Sequence, residues 1–149
     1  MKPGPGPRKP HRLQRIFAAY DPALYFITFC TYDRKALLAN ESIHRQFIHF
    51  AQMCQNKGVC FGRYVVLPDH IHCFLRAAPS VRIGTTLRLL KRSLSARINA
   101  ETPHWQPGFF DHVLRSAESY AEKWDYVRMN SVRAGLVEFA DKWPFQGEV

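Results

Sequence analysis

A chain of 149 residues with 46% hydrophobic side chains holds enough apolar material for one domain with a substantial core. Its formal charge of +9 favours DNA, RNA or an anionic membrane surface as partner. No run approaches the roughly 18 apolar residues of a membrane span, and no apolar signal segment follows Met1. The cysteines Cys30, Cys54, Cys60 and Cys73 are scattered and read as small hydrophobes in a reducing cytosol.

In chain order, residues 1–20 carry Pro3, Pro5, Pro7 and Pro10 with Gly4 and Gly6, interspersed with Lys and Arg and free of acids. That composition predicts a flexible basic arm, leaving 21–149 as a single folded domain. Leu24 to Tyr32 is nearly continuous in apolar, aromatic and β-branched residues, a buried strand. Ile43, Phe47, Phe50 and Cys54 recur at helical spacing before Gly58, giving a helix over about 41–57. Val59 to Leu67 predicts a second strand, Pro68-Asp69 a tight turn, and His70 to Ala77 a third strand in a hairpin. Ile83, Leu87, Leu90, Leu94 and Ile98 mark a second helix over about 81–99, with Ser80 as its N-cap. Phe109 to Leu114 is a fourth strand. A third helix starts at Ser116, runs along Tyr120, Trp124 and Val127, and stops near Gly135.

The order is strand, helix, strand, strand, helix, strand, helix. It predicts an α+β fold: a ferredoxin-like βαββαβ antiparallel sheet with an added C-terminal helix. Two helices cover one sheet face, and the other is left to the third helix and a ligand.

Side chains alternate along a strand, so His70 and His72 share a face while Ile71, Cys73 and Leu75 take the other. Residues four apart share a helix face, so Tyr126 and Asn130 go together. Tyr126 falls about 130° off the apolar stripe of its helix. Tyr120 lies on the stripe and reads as an ordinary core tyrosine. If the strand and helix faces meet, two imidazoles, an amide oxygen and a phenol converge, a set able to hold a divalent cation. A structural role for each histidine stands beside that reading.

Three segments together resemble one family: Leu67-Pro68-Asp69-His70-Ile71-His72, the run from Trp105 to Arg115, and Tyr126-Val127-Arg128-Met129-Asn130-Ser131-Val132-Arg133-Ala134-Gly135-Leu136-Val137. Their order is similar to that of the single-tyrosine HUH transposases, and within them the REP-associated tyrosine transposases. The resemblance implies a ferredoxin-like fold whose added helix carries the catalytic Tyr126. It implies a divalent metal, magnesium or manganese, bound by His70, His72 and Asn130. It implies cleavage and rejoining of single-stranded DNA at REP-like hairpins through a 5′-phosphotyrosine, with a 3′-hydroxyl released. It further implies a bacterial, cytoplasmic, nucleoid-associated protein acting as monomer or homodimer. Asp69 stands where the family more often has asparagine, and Ser131 where it often has proline.

The chemistry is coherent. A free phenol has a pKa near 10, so a neighbouring cation helps to generate the nucleophile. Imidazoles suit manganese better than magnesium, and zinc also accepts such ligands. Arg88, Lys91 and Arg92 on the second helix and the flanking Arg115, Arg128 and Arg133 are candidates for phosphate contacts. Among Tyr25, Phe61, Tyr64 and Phe74 some ring could stack bases on an open sheet. Two other classes compete. One is a non-catalytic ferredoxin-like nucleic-acid-binding module, which leaves His70, His72 and Tyr126 without a joint explanation. The other is a zinc hydrolase using water. A covalent protein–DNA product distinguishes the first reading from both.

Overall fold

Strand β1 (Leu24–Cys30) pairs on both sides, with β3 (His70–Ala77) along one edge and β4 (Phe110–Leu114) along the other, both antiparallel. Its apolar sequence follows from this interior position, since both sheet faces above it are covered. The structure, a computed structural model, describes residues 24–149, so the arm expected over 1–20 lies outside the described residues. Strand β2 (Val59–Val66) pairs antiparallel with β3. The turn between them is closed where Leu67 N–H donates to the His70 carbonyl at 2.8 Å, as Pro68-Asp69 led one to expect.

A fifth strand, β5 (Gln146–Glu148), was not anticipated from the sequence. It adds antiparallel to the free edge of β2, giving the sheet order β4-β1-β3-β2-β5. Three residues containing a glycine carry no periodic signal. What fixes them is tertiary: the Trp143 indole N–H donates to the Val66 carbonyl at 2.9 Å, and Val66 N–H donates to the Phe145 carbonyl at 2.8 Å.

Helices α1 (Glu41–Cys54) and α2 (Ile83–Ser95) lie on one face of the sheet. Asn40 caps α1 by accepting from Ile43 N–H at 3.0 Å, and Gly58, at φ +84°, turns the chain out of the short 3-10 extension that follows. Ile43, Phe47 and Ala51 of α1 and Leu87, Leu90 and Leu94 of α2 bury against Ile71, Cys73 and Leu75 of β3. The helix N-terminus expected at Ser80 falls later, with Arg82 in the capping position and no side-chain cap. Pro79 and Ser80 are held in a turn, in which Val81 N–H donates to the Ala78 carbonyl.

The opposite face is covered by α3 (Ala117–Val127), which packs Tyr120, Trp124 and Val127 over Phe26, Val65 and Phe74. Ser116 caps it, accepting from Ser119 N–H at 3.0 Å. The single helix expected from Ser116 to Gly135 is in fact two. It ends at Val127, and a one-turn helix α4 (Asn130–Arg133) follows. Met129 N–H bonds to the Tyr126 carbonyl, three residues back, at 3.3 Å, so the tightened turn separates the two segments.

Candidate active site

The β3 alternation places His70 and His72 on the α3 side of the sheet, because Ile71, Cys73 and Leu75 enter the core beneath α1 and α2. The two rings meet edge to face with centroids 4.8 Å apart. Each ring has its Nδ1 engaged. Thr28, directly opposite His72 in the β1–β3 register, shares a 2.7 Å hydrogen bond between Oγ1 and His72 Nδ1. Asp69 Oδ1 lies 2.8 Å from His70 Nδ1. No hydrogen bond among the described residues reaches Nε2 of either ring, which leaves that nitrogen for another partner.

His72 is largely buried and stacks on Phe26, with centroids 5.3 Å apart. Burial first, and then the positive charges of His70, Lys123, Arg133 and Arg34, push its pKa down to about 3. The ring is therefore neutral at physiological pH, the form in which imidazole binds metals. Asp69 is pulled both ways. Burial raises its pKa, but hydrogen bonds from His70 and Arg34 and their charges lower it further, so the net shift is downward.

A cleft of about 450 Å³ opens beside these groups, lined by His70, Asn130, Arg34, Asp69 and Arg133 with the apolar Leu67 and Leu136. His70 and Asn130 thus share one cavity, whose lining does not include His72. Among the described residues no three His, Cys, Asp or Glu side chains gather in a metal-like cluster. The available donor set is two imidazoles and an amide.

Tyr126 sits in the last turn of α3 with 63% of its surface exposed, as expected for a residue off the apolar stripe. It is coupled to Asn130 through one side chain. Arg133 Nη2 donates to Asn130 Oδ1 at 2.7 Å and to the Tyr126 carbonyl at 2.8 Å, and its guanidinium lies 4.1 Å from the centroid of the Tyr126 ring. Tyr120 is the contrasting case: it packs on Phe74 and its hydroxyl accepts from Arg63 N–H at 3.2 Å.

The candidate phosphate-binding residues do not form one surface. Arg88 and Arg92 are exposed on α2, in the layer across the sheet from the histidines. Lys91 has its ammonium donated to the Gln106 carbonyl at 3.0 Å and to the Gly108 carbonyl, fastening the connection that leads to β4. Burial lowers its pKa. Arg128 pairs with Asp141 at 3.3 Å and more loosely with Asp125. Arg115 is exposed where β4 gives way to α3, and Arg133 is the residue described above. Nor do the four sheet aromatics offer an open stacking platform. Phe61 and Tyr64 face the α1–α2 core, Tyr25 packs against it, and Phe74 is fully buried under Tyr120 and Trp124.

Sequence reasoning missed Thr28 and Arg34. Thr28 depends on a strand register that the sequence does not reveal. Arg34 lies in a turn without periodicity. A signal was available at Asp69, whose place next to His70 on a tight turn limits where its carboxylate can reach.

Comparison with known proteins bears on this geometry. The family described as Transposase IS200 like matches residues 20–128. A Haemophilus influenzae protein named as a putative REP-associated tyrosine transposase is 26% identical over 136 residues, covering 82% of this chain and 77% of that protein. The Escherichia coli REP-associated tyrosine transposase is 30% identical over 83 residues, 55% of this chain and 50% of its own length. Among solved structures, a REP-associated tyrosine transposase bound to a REP hairpin superposes with a TM-score of 0.72 at 21% identity, over 98% of this chain and 82% of that one. A transposase-like protein from Deinococcus radiodurans superposes at 0.51 with 18% identity, over 85% of this chain and 95% of that one.

Proposed function

The chain belongs to the IS200-like transposase family, with the REP-associated tyrosine transposases among its relatives, and on that premise we propose that it cleaves and rejoins single-stranded DNA beside REP-like hairpins, with Tyr126 as nucleophile. The observation that carries this reading is the convergence at one cleft. His70 and Asn130 line it, the His72 ring lies 4.8 Å from that of His70, and Arg133, which also lines it, ties Asn130 to an exposed Tyr126. The strand order β4-β1-β3-β2, with β5 outside it, supports the ferredoxin-like description of the core.

The donor set fits a divalent metal. Both Nδ1 atoms are engaged, His72 is neutral, and Asn130 offers an amide oxygen in the same cleft as His70. His70, His72 and Asn130 would hold the ion, with manganese or magnesium the best matches to the family chemistry. When bound, it would supply positive charge to a phosphate oxygen and help the phenol to ionise.

The remaining work belongs to the protein. The Tyr126 hydroxyl, open to solvent, loses its proton to water and its oxygen attacks the scissile phosphorus. A phosphorus–O(Tyr) bond forms, the bond to the 3′ oxygen breaks, and that oxygen leaves as a 3′-hydroxyl on taking up a proton. The product is a 5′-phosphotyrosine, and attack by a 3′-hydroxyl reverses the step, so the phosphodiester energy is conserved. Arg133 lies against the Tyr126 ring and lines the cleft, where its charge opposes that of an entering phosphate. A non-catalytic module that reads bases on an open sheet is disfavoured, since the face bearing Phe26 and Phe74 is buried beneath α3.

The test is incubation with an end-labelled REP-like hairpin carrying a single-stranded flank, in manganese, followed by a denaturing gel. A covalent protein–DNA species that is absent with Tyr126→Phe supports the reading. An undiminished adduct in that variant overturns the assignment of Tyr126.

A further inference from the structure

We propose that Asp69 and Arg34 are positioning residues for His70: the Asp69 carboxylate fixes the His70 imidazole as the Nδ1–H tautomer, presenting the Nε2 lone pair, and Arg34 holds that carboxylate in place. The inference deepens the metal-dependent reading above and rests on it only for its link to the ion.

The tautomer follows from donor and acceptor counting. His70 Nδ1 has two polar neighbours, Asp69 Oδ1 at 2.8 Å and Arg34 Nη2 at 3.3 Å. A carboxylate only accepts and a guanidinium only donates, so the two neighbours ask for opposite tautomers. The carboxylate is closer by half an ångström and makes the stronger, charge-assisted bond. Nδ1 therefore carries the proton and Nε2 is left with its lone pair. Arg34 has a better acceptor of its own, donating from Nε to Asp69 Oδ2 at 3.0 Å. One carboxylate is thus gripped at both oxygens, by the imidazole and by the guanidinium.

The backbone is built to bring Arg34 there. Asp33 and Arg34 both lie in the left-handed region, at φ +57° and +50°, which costs non-glycine residues energy and persists only when surroundings impose it. The imposing contacts converge on Asp69. Thr31, fully buried, donates its backbone N–H to the Asp69 carbonyl at 2.9 Å, and its hydroxyl reaches the same oxygen at 3.2 Å and the Lys35 carbonyl at 2.8 Å. Main chain and side chain of one residue are therefore both clamped by the 31–35 turn. His72 is set differently, by the Thr28 hydroxyl, which can either give or take a proton. Of the two, His70 alone has a neighbour that dictates its protonated nitrogen. Partners of this kind, when removed, weaken metal binding about 10–100-fold.

The experiment uses the full chain at pH 7.5 without metal. Long-range ¹H–¹⁵N correlation spectra of the histidine side chains read the His70 tautomer, and Mn²⁺ titration followed by electron paramagnetic resonance reads affinity. Wild type is expected to show the Nδ1–H form. Asp69→Ala should shift His70 toward Nε2–H and weaken Mn²⁺ binding about 10–100-fold. Asp69→Asn, whose amide oxygen still accepts from Nδ1, should retain the tautomer and most of the affinity. Arg34→Ala should fall between wild type and Asp69→Ala on both scales. A wild-type His70 that is mainly Nε2–H, or an Asp69→Ala protein with unchanged tautomer and affinity, overturns the proposal. Because the wild-type spectrum needs no variant, misfolding of Asp69→Ala does not shield it. If His70→Ala binds Mn²⁺ as tightly as wild type, the metal reading fails while the tautomer measurement still decides the orientation.

Discussion

Phe26 and His72, on adjacent strands, stack with their ring planes 20° apart and their centroids 5.3 Å apart. Burial, with the positive charges of His70, Lys123, Arg133 and Arg34, leaves no good place for a charged imidazolium. His44 is in a milder version of the same position: burial lowers its pKa, against the opposing charge of Glu41, while its Nε2 shares a 2.8 Å hydrogen bond with the Tyr64 hydroxyl.

A pH dependence of stability follows. Both histidines titrate near 6.5 in the unfolded chain and lower in the fold. Above pH 6.5 neither state binds the protons, so these groups leave stability flat. As pH falls below 6.5 the unfolded state takes up protons that the native state refuses, and stability declines, for His72 down to about pH 3. Urea midpoints in EDTA at pH 7.5, 6.5, 5.5 and 4.5 should be level over the first step and then decrease. A midpoint that rises on acidification contradicts the buried, neutral assignment.

Tyr126→Phe and Tyr120→Phe should separate chemistry from packing. Tyr126 is mostly exposed, and removing its hydroxyl should change stability by no more than about 0.5 kcal/mol while strand cleavage disappears. Tyr120→Phe removes the acceptor for Arg63 N–H and should cost about 1 kcal/mol with cleavage retained. Denaturant titration alongside a cleavage gel reads both, and the reverse pattern would exchange their roles.

Much of this architecture is legible in the sequence. The hairpin of β2 and β3 is announced by Pro68-Asp69, and the stripe of Ile43, Phe47 and Cys54 announces α1, because each rests on local periodicity or turn chemistry. The antiparallel sheet with helices on it follows from element order. What escapes notice is what only tertiary packing decides. β5 owes its form to the β2 edge and to Trp143, and the helix break at Arg128–Met129 has no proline or glycine to mark it. At the site, His70, His72, Tyr126 and Asn130 were named from spacing and family resemblance. Arg34 was not, because the residue that it serves is distant in sequence and its own backbone conformation is atypical for arginine.

Lys91 gives a basic cluster on α2 a structural member. With its ammonium on the Gln106 and Gly108 carbonyls, Lys91→Ala should destabilise the protein by about 1–3 kcal/mol and leave the salt dependence of DNA binding unchanged. Arg88 and Arg92 are exposed on the same helix and can contact phosphate. Replacing both with Ala should flatten the log–log salt slope by roughly 0.7 per lost contact on single strands if DNA runs over the α2 layer. Fluorescence anisotropy across a salt series, paired with thermal melts, tests both. A reduced slope in Lys91→Ala would place that residue at the interface.

Gly62 marks where the tyrosine helix meets the sheet. A Cβ built there would lie 2.9 Å from the Tyr120 hydroxyl. Gly62→Ala must displace a ring packed against Phe74, and overpacking of this kind costs about 1–3 kcal/mol. Leu90→Ala, in the core under α2, should cost about 2–5 kcal/mol without moving α3. Gly62→Ala is therefore expected to impair cleavage more than Leu90→Ala does, despite the smaller loss of stability. Equal cleavage rates at a temperature where both remain folded would argue that α3 tolerates the shift.

The strand order β4-β1-β3-β2-β5 has a consequence for how the molecule assembles in time. Among the described strands only β2 and β3 pair with a neighbour in sequence; every other ladder there closes a long loop, from β1 to β3, from β1 to β4 and from β2 to β5. Chains dominated by such non-local pairings acquire structure over milliseconds to seconds rather than microseconds. The local hairpin is the part that can form first, and it carries both histidines. Helix α3, which carries Tyr126, packs on the sheet face formed by Phe26, Val65 and Phe74 and can dock only once those strands are assembled. In pulse-labelling hydrogen exchange the amides of β2 and β3 should gain protection before those of α3, so that during refolding the strand of His70 and His72 exists for a time without the helix of Tyr126.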